Sequence, residues 1–171
     1  MQGPHRGRGP VTTPAPLHRS SEAQALLNPA FGAYLLAHSI YAAQSKKGRP
    51  MPWPSAFLVL PLVLPAKARN SLPGNSTVSL MAWADKNPLQ HAAFAERAVS
   101  LTSLTRMSLR MAMRHQAVEV TPLGLRCPRK PMAAPGFGQE VAECARAAAL
   151  VGRWLAATDP HRAYTALGVR P

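Results

Sequence analysis

A change of hydrophobic period near residue 118 constrains this chain more than any other feature. Upstream, apolar residues recur at helical spacing; downstream, Val118 and Val120 flank Glu119, and Leu123, Leu125 and Cys127 alternate with Gly124 and Arg126. A period of two belongs to a strand with one buried face. Between the two arms, Thr121-Pro122-Leu123-Gly124 places proline second and glycine fourth, as a type I turn favours. A single β-hairpin is therefore set into a helical chain. Three helices, a hairpin and a packing helix predict a mainly α fold with a small β-hairpin (α+β). That order suits a winged-helix-like core with flanking helices, and other α+β folds share it.

The helices can be placed by their ends. Asn28-Pro29 offers a capping side chain followed by proline at the first helical position, and Lys46-Lys47-Gly48 is a helix C-terminus. Within these bounds Phe31, Leu35, His38 and Ala42 share one face, while Leu36 and Ile40 make a second apolar face. This helix is expected to be buried on two sides. Met51-Pro52-Trp53-Pro54 reads as a rigid link. Ala56–Leu64 suits a short buried helix better than a central strand, because Pro61 interrupts it. A short basic turn, Lys67 to Leu72, follows. Ser76 or Thr77 is expected to cap a helix through Trp83. Asn87-Pro88 opens the next, with Phe94, Ala98 and Leu101 on one face, and Thr102 or Ser103 starts a third running to His115. After a loop over 128–138, a long helix is predicted from Gln139 to Ala157. Its core face carries Val141, Cys144, Ala145, Ala148, Val151, Gly152 and Leu155. Asp159-Pro160 caps a last helix ending near Leu167-Gly168.

Residues 1–20 contain four Pro, three Gly and three Arg without a periodic apolar pattern. Such a segment cannot offset its ordering entropy, so 1–21 is expected to be a disordered basic tail and 22–171 a single domain. The apolar run Phe57–Leu64 falls short of the roughly 20 residues of a membrane span. No apolar segment of the signal-peptide kind follows Met1. The expected setting is cytoplasmic, where Asn75-Ser76-Thr77 is a capping turn rather than a glycosylation site.

The chain has 20 Lys+Arg against 7 Asp+Glu, a net charge of +13 from only 16% charged residues. Scarce acid, more than abundant base, sets the field, which favours polyanions or acidic protein surfaces. Enzyme signatures are missing. No phosphate-binding Gly-x-x-x-x-Gly-Lys-Ser/Thr loop occurs, and Gly136-Phe137-Gly138 lacks the third glycine and the preceding strand of a dinucleotide site. Glu140 and Glu143 read as solvated charges. Cys127, Cys144, His115 and His161 do not form ligand pairs of the zinc type. His38 and His115 fall on apolar stripes and read as core histidines. No catalytic, cofactor or metal site is expected.

Two surface features stand out. Arg106, Arg110 and Arg114 recur every fourth residue on the helix before the hairpin, with Arg126, Arg129 and Lys130 on or just after it. In a winged helix these are the recognition-helix and wing positions, suited to DNA phosphates or guanine edges. An acidic protein partner or a plain solvated face would use the same residues. The second feature is apolar: Leu150 and Trp154 lie opposite the core stripe of their helix, and Leu109 and Met113 lie beside Arg106. They are expected either to dock a protein partner or to be covered by the flanking helices.

Several strings, read in order, resemble a known family. They are Asn28-Pro-Ala-Phe31, Leu60-Pro-Leu-Val-Leu-Pro65 with its basic turn, Phe94-Ala-Glu-Arg-Ala98, the arginine helix, and Leu167-Gly-Val-Arg-Pro171. Over about 27–171 the chain resembles the middle component of bacterial three-component ABC systems. The resemblance implies a small non-enzymatic subunit encoded between an ABC-type ATPase, related to chromosome-maintenance ATPases, and a variable third component. It implies an adaptor that couples the ATPase to an effector in anti-phage or anti-plasmid defence. Pro65 stands where a polar residue such as histidine is expected, and the basic N-terminal extension is atypical. From the residues alone, a stand-alone winged-helix DNA-binding regulator is the alternative.

Overall fold

The structure, a computed structural model, describes residues 27–133, 136 and 138–169. The tail expected over 1–21 and the onset of order expected at Glu22 lie outside these residues. The elements in chain order are α1 (Pro29–Lys47), a 3-10 segment (Trp53–Leu58), α2 (Val59–Val63), α3 (Ala66–Asn70), α4 (Leu80–Lys86), α5 (Pro88–Ala92), α6 (Phe94–Ser100) and α7 (Thr102–Arg114). The hairpin β1 (Glu119–Thr121) and β2 (Gly124–Arg126) comes next, then α8 (Gln139–Ala157) and α9 (Pro160–Ala166). The fold is mainly α with one small antiparallel hairpin.

Local chemistry sets the helix ends. The Asn28 side chain accepts a hydrogen bond from the Ala30 amide at 2.8 Å, and Pro29 occupies a position whose amide would have no partner. Gly48 closes α1 in the left-handed conformation, φ 67°. Asp159 accepts from the amides of His161 and Arg162 to start α9. Pro61 sits in the first turn of α2, where a missing amide costs no internal bond. The capping of α4 differs from expectation. Ser79, not Ser76 or Thr77, accepts from the Ala82 amide, and Asn75 forms a local turn by accepting from the Thr77 amide. The segment opened by Asn87-Pro88 is also broken at Ala93 into α5 and α6, which still brings Phe94 fully into the core.

The core is organised around α1, which packs against both α7 and α8. Leu35, Leu36 and Ile40 are completely buried, so α1 does bury a wide arc. Close approach depends on small residues. A methyl group at Gly152 of α8 would overlap the Ser39 carbonyl of α1, and one at Gly32 would overlap the Ser108 side chain of α7. α2 fits between the 3-10 segment, α6 and α8, while α9 closes against α4 and the 3-10 segment.

The hairpin pairs Glu119 with Arg126, Val120 with Leu125, and Thr121 with Gly124, leaving the two-residue loop Pro122-Leu123. Met51 adds an isolated antiparallel bridge to Leu125, with amide-to-carbonyl bonds of 2.9 and 2.7 Å in the two directions. The extended positions therefore run Met51, β2, β1. Gly124 has φ 134° and faces the Met51 carbonyl so closely that no side chain fits there. Beyond β2, the Gln44 side-chain amide continues the ladder. It accepts from the Cys127 amide at 2.9 Å and donates to its carbonyl at 2.7 Å, fastening α1 to the hairpin.

Candidate interaction surfaces

Arg106, Arg110 and Arg114 all lie exposed on α7, whose other side buries Leu104, Thr105, Ser108, Leu109 and Ala112. The stripe expected from the four-residue spacing is present as a convex cationic face. The residues on and after the hairpin have different settings. Arg126 donates to Glu119 at 3.2 Å across the strand pair, with both side chains about half exposed, so the pair contributes about 0–1 kcal/mol. Arg129 lines a groove of about 440 Å³ with Met113, Val118, Val120 and Pro128. Lys130 instead faces α1 and α8, in a hollow it shares with Lys46 and Arg153.

The apolar set divides more sharply. Met113 is 37% exposed, but Leu109, Leu150 and Trp154 are 9%, 5% and 2% exposed. The expectation of a docking face formed by Leu109, Leu150 and Trp154 is therefore corrected: these side chains are buried within the chain itself. Over Trp154 the cover comes from α4 and the segment before it. Trp154 rests against Trp83 of α4 with ring centroids 5.9 Å apart. Its indole N–H donates to the Val78 carbonyl at 2.6 Å, and that of Trp83 donates to the Ser71 carbonyl at 2.9 Å. Two large rings with satisfied polar edges make this a structural contact. On the hairpin Val120 is 66% exposed and lines the Arg129 groove beside Met113, while Leu123 is 77% exposed and lines a separate hollow with Met51 and Pro160. The alternation places both on the inward face of the strands, and the structure corrects this: Leu125 is paired on both sides, by Met51 and Val120, and is buried, whereas Val120 is on the edge strand β1 and exposed.

Arg69, which the sequence offered only as part of a basic turn, is the one buried guanidinium among the described residues. It donates to the carbonyls of Val63 and Leu64 at 3.0 and 3.1 Å and to Glu140 Oε1 at 2.9 Å. It thereby ties the end of α2 to the first turn of α8. Glu140 is thus paired rather than simply solvated, and Glu143 accepts from Gln139 at 2.9 Å.

Among the described residues the titratable groups form no catalytic arrangement. Cys127 and Cys144 are buried free thiols, and burial raises the pKa of each, against a smaller opposing effect of Arg69 at Cys144. A raised thiol pKa is the opposite of nucleophile activation. His38 is half-buried, and burial lowers its pKa below 6.5. Its Nε2 has no hydrogen-bond partner among the described residues. His115 is exposed just past the end of α7, so its assignment to the core is corrected. Among the described residues no three His, Cys, Asp or Glu side chains cluster as a metal site, and no helix is long and apolar enough to cross a membrane.

The family model described as the ABC-three component (ABC-3C) system Middle Component 3 matches residues 17–171. No curated protein and no solved structure matches.

Proposed function

The chain belongs to the Middle Component 3 family of ABC-three component systems, and from that premise we propose that it is a non-enzymatic adaptor subunit in the cytoplasm. It joins an ABC-type ATPase to an effector component in an anti-phage or anti-plasmid defence system. The observation that carries this reading is the family match over 17–171, nearly the whole chain. The free surface supports the same reading. Met113 and Val120 are exposed, apolar, and line one groove with Arg129 beside them. Exposed apolar side chains set among polar ones, here Gln116, Glu119 and Arg129, suit a protein interface.

Co-expression with the ABC-type ATPase of the same system tests this reading. The wild-type chain is expected to co-purify with the ATPase. Met113→Glu combined with Val120→Glu, both at exposed positions, is expected to reduce recovery at least tenfold without changing thermal unfolding. Undiminished recovery of the double variant would remove the groove from the interface.

A second reading, a stand-alone winged-helix DNA binder, is favoured by the order Met51, β2, β1 directly after an arginine-striped helix. This is the strand arrangement expected beside a recognition helix. It predicts salt-dependent DNA affinity through Arg106, Arg110 and Arg114. If Arg110→Ala left both the affinity and its salt slope unchanged, that reading would lose its support.

A further inference from the structure

A second cationic surface, distinct from the α7 stripe, lies where α1 meets α8. Along α1, Phe31, Tyr34, His38 and Tyr41 recur at intervals of three and four, on the side away from Leu36 and Ile40. All four are half-buried rather than enclosed. The rings form a ladder: Phe31 and Tyr34 are stacked at 6.4 Å, and Tyr34 meets His38 edge-on at 4.5 Å. At the C-terminal end of this ladder, His38 and Tyr41 line a hollow of about 400 Å³ together with Lys46, Lys130 and Arg153. Ala149 and Arg153 also line a neighbouring hollow of about 430 Å³ that contains Arg146. The two hollows share Ala149 and Arg153 on their walls, and Arg146 and Arg153 lie two helical turns apart on α8. None of Lys46, Lys130, Arg146 and Arg153 forms a salt bridge among the described residues. Glu143 is the one carboxylate lining either hollow, on the wall by Arg146.

We propose that this α1–α8 groove binds single-stranded nucleic acid, with Lys46, Lys130, Arg146 and Arg153 on the phosphates and the Tyr41 ring stacking on a base. Unpaired cations spaced along a groove follow a sugar-phosphate backbone, and aromatic faces beside them accept any base. The same combination is absent from α7, which carries arginines on a convex face and no aromatic residue. An acidic protein would be attracted by the cations but would make no use of the aromatic ladder. The inference is independent of the adaptor reading, because it concerns a different face and needs no partner protein.

The test is fluorescence anisotropy of a labelled twelve-nucleotide oligo-dT with the full chain, titrated at several salt concentrations. Four phosphate contacts predict a log–log salt slope of about −3. Lys130→Glu with Arg153→Glu should weaken binding more than tenfold and roughly halve that slope. Tyr41→Ala should weaken oligo-dT about tenfold while leaving duplex binding within twofold, and Tyr41→Phe should retain affinity. Reversing Arg106, Arg110 and Arg114 together should change oligo-dT affinity less than threefold. Because the charge reversals are at the surface, they keep the proposal testable even if Tyr41→Ala does not fold. No measurable oligo-dT binding by the wild type would overturn the proposal. Loss of binding only on reversal of the α7 arginines would do the same. Stronger binding of polyglutamate than of oligo-dT would assign the groove to an acidic protein instead.

Discussion

Arg69 places a permanent charge in the interior with 7% of its side chain exposed, and replaces lost water with two carbonyls and a carboxylate. Removing it leaves the last carbonyls of α2 without their donor and frees α8 from α2. Arg69→Ala is therefore expected to cost about 2–6 kcal/mol in urea unfolding, since each of the two buried carbonyls left without its donor costs about 1–3 kcal/mol. Glu140→Gln, on the exposed side of the pair, should cost less than about 1 kcal/mol. His38 gives the stability its pH dependence. Burial holds the folded imidazole below its ordinary value of 6.5, so the unfolded chain takes up a proton that the folded chain resists. This contribution is fully present above about pH 6.5. It is lost as the pH falls below that value, until the folded imidazole also titrates. Unfolding measured from about pH 7.5 to 5.5 should show a decline that His38→Gln reduces. Neither role was legible in the sequence. Arg69 finds Glu140 at a separation of 71 residues, and a basic turn gives no local sign of a distant acid.

At the scale of elements, legibility follows the range of the interactions. The bounds of α1 and α9 could be read because their caps and first-turn prolines act within a few residues, whereas α8, which has no side-chain cap, could be read from its apolar period. The hairpin could be read from its period and its turn. What covers each helix could not be read, because that is decided by remote contacts. The outer side of α8 is apolar because the Trp83 ring and the chain at Val78 close over Trp154. The sequence alone could not distinguish such a second buried face from a docking surface. The two differ in their response to mutation. Trp154→Ala should cost about 3–5 kcal/mol and lower the unfolding temperature, whether or not a partner is present. A partner-docking tryptophan would leave thermal unfolding of the free chain unchanged. The exposed Met113–Val120 pair should behave in that second way.

For the whole molecule, the family and the positive field were legible, and the distribution of the field was not. A charge of +13 with 7 carboxylates leaves cations free wherever geometry gathers them. The fold gathers them twice, as the convex α7 stripe and as the α1–α8 groove, while the exposed apolar groove at Met113 lies beside Arg129. In the proposed account the groove at Met113 serves a protein partner and the α1–α8 groove a polyanion. The most direct test is a tagged pull-down of the full chain from native, nuclease-treated lysate, with identification and stoichiometry by mass spectrometry. The adaptor account predicts stoichiometric recovery of an ABC-type ATPase without nucleic acid. Recovery of the chain alone, with DNA retained only in untreated lysate, would contradict it.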